Sequence, residues 1–189
     1  MKIGILGGTF NPVHIGHLIL AEEAREKLGL DKVIFIPANL PPHKDNIDIA
    51  NPQARLKMLR FALKGNKHFA VSDIEIKRSG RSYTIDTIKA LKDKYSDDEL
   101  YFIIGSDLLK YLEEWKDLNE IFKIVKFIVA TRPGYPLENI PAYIKTLGIR
   151  AVDISGFSVR QCIKEGKSFR YLVPEAVFVY INKTKLYGQ

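Results

Sequence analysis

Residues 7–17, Gly-Gly-Thr-Phe-Asn-Pro-Val-His-Ile-Gly-His, sit between an apolar run and a stretch with helical periodicity. The run Met1–Leu6 (MKIGIL) is short and isoleucine-rich, as a buried strand is, and glycine follows it at once. From about Gly16 onward Leu18, Ala21, Ala24 and Leu28 recur at helical spacing, with Glu22, Glu23, Arg25, Glu26 and Lys27 mostly on the other side. Between strand and helix the chain must turn sharply. Gly7 and Gly8 permit the turn and let a ligand approach the backbone, because neither carries a Cβ. Two of the four histidines, His14 and His17, lie three apart at the helix start. There backbone N–H groups, the helix dipole and two imidazoles can converge on phosphate oxygens. Two further readings of the pair stay open at this level: surface histidines on an ordinary Gly-rich turn, and metal ligands. Against the second, no cysteine or carboxylate lies close by in sequence to complete a coordination sphere.

Outward from this stretch, strand-like and helix-like runs alternate. Lys32–Ile36 reads as a second strand ended by Pro37, and a polar loop with Pro41-Pro42-His43-Lys44 follows. Asn51-Pro52 is a cap and first-turn proline, starting a helix whose buried stripe is Leu56, Leu59 and Leu63. Phe69–Ser72 is a third strand that the alternation extends through Ile74 and Ile76, and Thr84–Tyr95 is helical. Leu100–Ile104, ended by Gly105, and Lys126–Ala130 are buried strands, and Ala151–Ile154 is a last short one. Helices over Ser158–Glu165 and Pro174–Asn182 follow. Strand–helix alternation implies an α/β fold: a doubly wound, Rossmann-like parallel sheet covered on both faces. The expected organisation is one domain over residues 1–189, with a small C-terminal helical part from about 155. Ligands of such sheets bind beyond the carboxyl ends of the strands. The glycine loop after the first strand and Gly105-Ser106-Asp107 both qualify.

Composition narrows the partners. An apolar content of 46% with 27% charged residues is that of a globular chain able to bury a core. No apolar run approaches the roughly 20 residues a membrane span needs, and Met1–Leu6 is too short for a signal peptide. Cys162 is the one cysteine, which excludes a disulfide framework and makes a reducing cytoplasm the expected compartment. Cys162 itself is expected to be a small packing residue on a helix. The net charge of +7, from 29 basic and 22 acidic residues, suits anionic ligands. Nucleic acid is the alternative, but the basic residues are scattered among acids, as in Lys110–Lys116, and form no stripe or tail. Small phosphorylated ligands are favoured.

Other phosphate loops are absent. Gly166-Lys167-Ser168 has Gln161 where a P-loop needs its first glycine, and Gly4-x-x-Gly7-Gly8 is not the dinucleotide fingerprint. Nor is there an acidic cluster for a two-metal centre. A histidine-based phosphate cradle remains.

His14-Ile15-Gly16-His17 is the H-x-G-H signature of nucleotidyltransferases, spelled as in class I aminoacyl-tRNA synthetases. The longer string GGTFNPVHIGHL resembles the bacterial nicotinate-nucleotide adenylyltransferases. So do Pro41-Pro42-His43-Lys44, Ser82-Tyr83-Thr84-Ile85-Asp86-Thr87, Gly105-Ser106-Asp107 with Trp115 downstream, and Thr131-Arg132-Pro133-Gly134-Tyr135. Ile154-Ser155 through Arg160 and Tyr171-Leu172-Val173-Pro174 complete seven blocks in the family's order. A tRNA synthetase is poorly supported, since there is no Lys-Met-Ser-Lys-Ser loop and no room for a tRNA-binding domain in 189 residues.

The resemblance implies adenylyl transfer from ATP to nicotinate mononucleotide, giving deamido-NAD and pyrophosphate. It implies that His14, His17, Arg160 and Lys44 act on the phosphates, with ATP bound by Gly7, Gly8, Thr9, Phe10, Gly105, Asp107 and Ser155. Thr84, Trp115 and Arg132 would hold the mononucleotide, with the pyridine ring stacked on Trp115. Mg²⁺ would arrive on the triphosphate largely hydrated, without a protein ligand set. Neither nucleic acid nor membrane is an expected partner, and the family leaves room for a homo-oligomer. One block departs from the pattern: Phe157 stands where the family usually has threonine, and Ser158 could replace the lost hydroxyl if Gly156 lets the turn shift. Other readings are an adenylyltransferase for nicotinamide mononucleotide or pantetheine phosphate, and a nucleotide-binding module without turnover.

Overall fold

The computed structural model describes residues 1–40, 48–78, 80–131, 134–135, 137, 140–141 and 143–188. β1 (Lys2–Gly8) pairs in parallel with β2 (Lys32–Pro37) on one side and β4 (Glu99–Gly105) on the other. β3 (Phe69–Val71) extends the sheet beyond β2, and β5 (Lys126–Ala130) and β6 (Lys145–Leu147) extend it beyond β4. The strand order 3-2-1-4-5-6, all parallel, is the doubly wound arrangement expected from the sequence.

Side-chain alternation sorts the strand residues onto two covered faces. Ile3 and Ile5 of β1, Phe102 and Ile104 of β4, and Phe127 and Val129 of β5 face one core; Leu6, Ile103, Ile128 and Ala130 face the other. The second core is closed by α1 (Ile15–Leu28), α2 (Pro52–Leu63), α6 (Gly156–Lys164) and α7 (Glu175–Thr184). Against the first pack α4 (Thr84–Lys94), a 3-10 helix over Ser106–Glu114 and α5 (Leu118–Ile124). Asn51 caps α2 as its side chain predicts, accepting from the Ala54 N–H at 2.8 Å.

Three expectations need correction. Ala151–Ile154 is not a strand; β6 is Lys145–Leu147, whose Leu147 is buried and accepts from the Thr131 N–H at 3.0 Å. Ala151 and Ile154 instead donate to residues two earlier, Ile149 and Val152, in γ-turn fashion. β3 also stops at Val71, because Ile74–Lys77 coils into the one-turn helix α3 and buries Glu75 rather than an isoleucine row. Finally, Glu23 does not lie on the solvent side of α1. It is buried and paired with Lys27 at 2.7 Å and with Arg150, joining α1 to the chain after β6.

Candidate active site

The order of winding reverses between β1 and β4, so the crevice beyond their carboxyl ends is where such a sheet takes a ligand. Gly7 and Gly8 end β1, and Gly105 ends β4 as N-cap of the 3-10 helix that carries Asp107 in its first turn. Both predicted glycine turns therefore open into one place.

His14 is the N-cap of α1 and is buried; His17 lies one turn on and is half-buried. Their rings stack, with centroids 3.7 Å apart and planes inclined by 30°. The His14 backbone N–H donates to His17 Nδ1 at 3.2 Å. An imidazole nitrogen that accepts carries no proton, so His17 holds its proton on Nε2, the atom farthest from the backbone. That makes Nε2 a donor for whatever lies beyond the ring. Gly16 is explained by the same packing: a Cβ there would stand 3.1 Å from His14 Nδ1 and 3.2 Å from Cε1. The backbone of the helix tip is less free than the sequence suggests, because Ile15 N–H donates to the Leu172 carbonyl at 2.9 Å.

Phe10 adopts φ +49°, a left-handed conformation uncommon outside glycine. Its ring is buried over Gly8, where a Cβ would meet Cζ at 3.1 Å, and meets the His17 ring edge-on at 4.9 Å. Phe10 is thus a support beneath the histidines. Ser155 caps α6, accepting from the Ser158 N–H at 3.0 Å, while Ser158 Oγ accepts from Ser155 N–H at 3.1 Å. Ser158 Oγ also donates to the Ser155 carbonyl at 2.8 Å, and Phe157 points outward, 67% exposed. Gly156 is required by a neighbour: a Cβ there would stand 2.8 Å from the Asn11 carbonyl oxygen. The close approach lets Arg160 Nη1 donate to that same oxygen at 2.7 Å, which draws Arg160 to the histidine loop.

Thr84 begins α4, and Trp115 follows the 3-10 helix, with its ring packed edge-to-face on Phe102 (5.9 Å) and Phe127 (6.1 Å). Their neighbours meet: Lys116 Nζ lies 5.1 Å from the centre of the Tyr83 ring. Trp115 also lines an open cavity of about 720 Å³ with Glu113, Asp117, Leu118, Asn119, Glu120 and Lys123. Three carboxylates against one lysine make that cavity a poor seat for a phosphate. Lys44 and Arg132 fall outside the described residues.

Sequence reasoning missed Arg55 and Asn11. Arg55 is wholly buried and donates to three backbone carbonyls: Thr9 at 2.7 Å, Asn39 at 3.0 Å and Ala50 at 2.9 Å. One guanidinium thereby ties the loop after β1 to the chain after β2 and the start of α2. Burial pulls its pKa below the usual arginine value. The signal was present: Arg55 lies four residues before Leu59, on the apolar stripe of α2 where a charge is out of place. Asn11, 7% exposed, accepts at Oδ1 from Ala50 N–H (3.0 Å) and Tyr187 O–H (2.8 Å) and donates from Nδ2 to the Asp48 carbonyl (2.8 Å).

Residues 5–162 match the cytidylyltransferase-like family model. A probable nicotinate-nucleotide adenylyltransferase of Desulfitobacterium hafniense (strain Y51) is 44% identical, over 98% of this chain and 95% of the relative. One from Geobacter sulfurreducens is also 44% identical, over 100% and 99%. The chain belongs to the nicotinate-nucleotide adenylyltransferase family. The fold agrees with that of the Plasmodium falciparum nicotinic acid mononucleotide adenylyltransferase complexed with NaAD, at TM-score 0.83 and 18% identity over 98% and 97% of the two chains. In this adenylyltransferase family member the Arg160 guanidinium and the stacked His14 and His17 rings are tied to the same stretch of chain after β1.

Proposed function

We propose that this chain transfers the adenylyl group of ATP to nicotinate mononucleotide, releasing pyrophosphate and forming deamido-NAD. The whole described fold acts as one unit in this reading. The observation that carries it is the stacked His14–His17 pair beside α1, with the His17 donor fixed on Nε2, at the β1/β4 crevice of a chain in this family.

The attacking group is a phosphate oxygen of the mononucleotide, already anionic, so no general base is needed. Catalysis is then positioning plus stabilisation of charge on the α-phosphate and the leaving pyrophosphate. His17 Nε2–H and His14 donate to ATP phosphates. Arg160 reaches the β- and γ-phosphates, where a planar guanidinium matches paired oxygens better than an ammonium does. Gly7, Gly8 and Gly105 leave room for the nucleotide backbone, Thr9 and Phe10 shape the loop, Ser155 offers its hydroxyl, and Asp107 accepts from ribose hydroxyls. Lys44 adds charge at the triphosphate. Mg²⁺ enters as part of the ATP substrate, held by phosphate oxygens and water. Trp115 carries the pyridine ring, with Thr84 backbone groups on its carboxylate and Arg132 on the mononucleotide phosphate. No helix is long and apolar enough to cross a membrane among the described residues.

The test is turnover with ATP, Mg²⁺ and each of three acceptors: nicotinate mononucleotide, its amide, and pantetheine phosphate. Pyrophosphate and deamido-NAD, identified by mass, should form fastest with the acid. Faster use of the amide or of pantetheine phosphate refutes the substrate assignment; binding of ATP without pyrophosphate release refutes the reaction.

A further inference from the structure

α7 ends at Lys185, in the left-handed region with φ +51° and ψ +35°, and two residues later Tyr187 has φ +70°. Neither is glycine, so each holds a conformation L-residues disfavour and keep only where surrounding structure insists on it. The paired left-handed turns send the chain back across α6, where Gly188 packs on Ile163 so closely that a Cβ would stand 3.0 Å from its Cγ2. They deliver the Tyr187 hydroxyl to Asn11 Oδ1 at 2.8 Å, across 176 residues of sequence. Burial raises the phenol's pKa, so the group stays a hydrogen-bond donor at any working pH.

Asn11 is where this contact matters. Oδ1 has two lone pairs, and Ala50 N–H and Tyr187 O–H fill both; Nδ2 holds the Asp48 carbonyl. Its own carbonyl takes Arg160 Nη1 at 2.7 Å, and only buried Pro12 and Val13 separate it from His14. We infer that Tyr187 is a positioning residue for adenylyl transfer, bracing Asn11 so that Arg160 and His14 keep their places at the triphosphate. Tyr187 touches no reacting atom; it acts through Asn11. The inference rests on the reaction proposed above.

Tyr187→Phe removes one oxygen and keeps the packed ring, so the fold survives it. The expected result is a three- to tenfold fall in kcat/KM for ATP, with KM for the mononucleotide within twofold of the parent and a melting midpoint lowered by no more than a few degrees. Removing residues 187–189 should lower kcat/KM for ATP at least as far. Adding Tyr187→Phe to Asn11→Ala should cost nothing further, because the second change breaks a bond already lost. Equal kinetics for Tyr187→Phe and parent, or multiplicative losses in the double variant, overturn the inference. An inactive parent counts against the reaction instead. The brace is then read by hydrogen exchange of the 11–17 amides: faster exchange in Tyr187→Phe supports it, and unchanged exchange overturns it.

Discussion

Gly16→Ala separates the stability of the fold from the aim of the site. Gly16 is the second residue of α1 and has helical dihedrals, so alanine adopts its backbone without strain. On propensity and unfolded-state entropy alone the change should stabilise by about 0.5–1 kcal/mol. The new Cβ, however, would stand 3.1 Å from His14 Nδ1, where ordinary contact begins at 3.4 Å, so the ring must retreat by about 0.3 Å. The ring has little room to do so, since His17 already stacks on it at 3.7 Å and Val152 Cγ2 would lie 3.5 Å from the same Cβ. Both imidazoles therefore shift or tilt together. A 1 Å misplacement of a catalytic group can cost on the order of 10² in rate, so about 0.3 Å should cost about fourfold, roughly 0.8 kcal/mol of transition-state stabilisation. The assay is steady-state pyrophosphate release beside a thermal melt. A variant that melts no lower than the parent and turns over about fourfold slower meets the expectation. Parental kcat/KM for ATP in a well-folded Gly16→Ala would refute the claim that the glycine protects the imidazole geometry.

Three other outcomes follow from the same structure. Arg55→Met removes a buried charge but strands the Thr9, Asn39 and Ala50 carbonyls, and should lower stability by about 3–5 kcal/mol, read as a fall in the urea midpoint. Glu75 is buried under Thr87, whose hydroxyl it accepts at 2.7 Å, and burial raises its pKa above the ordinary 4.5. The folded state thus binds its proton more tightly than the unfolded chain, so stability should decline as pH rises from 4.5 through the raised folded value; Glu75→Gln should flatten that decline in pH-dependent unfolding. Trp115 is the only tryptophan, so the mononucleotide should quench the protein's indole fluorescence, and Trp115→Ala should raise KM for the mononucleotide far more than KM for ATP. An unchanged KM would return Trp115 to a packing role on Phe102 and Phe127.

What the sequence revealed follows from which forces are local. β1, β2, β4 and β5 were legible because buried parallel strands are unbroken apolar runs, and both glycine turns because a turn without Cβ atoms leaves its mark in composition. β6 was not, since Lys-Thr-Leu carries no apolar run and is recruited by the edge of β5, a long-range event. Ile74 and Ile76 mimicked a strand, but the buried Glu75 between them bonds Thr87 on α4, which no local period encodes. At the site, H-x-G-H named the residues, whereas the acceptance of the His14 amide by His17 Nδ1 emerged only from the fold. Asn11 and Arg55 were in plain view, but their importance lies in partners up to 176 residues away, Tyr187 on Asn11 being the farthest.

The central claim is that an imidazole pair carries the developing charge of the triphosphate. Its most direct measurement is kcat of His17→Ala with ATP and nicotinate mononucleotide, alongside its melting midpoint. A kcat lower by about 10²–10³ with the fold intact is the predicted result, the usual cost of losing one preorganised donor. A folded His17→Ala that turns over within threefold of the parent would contradict it.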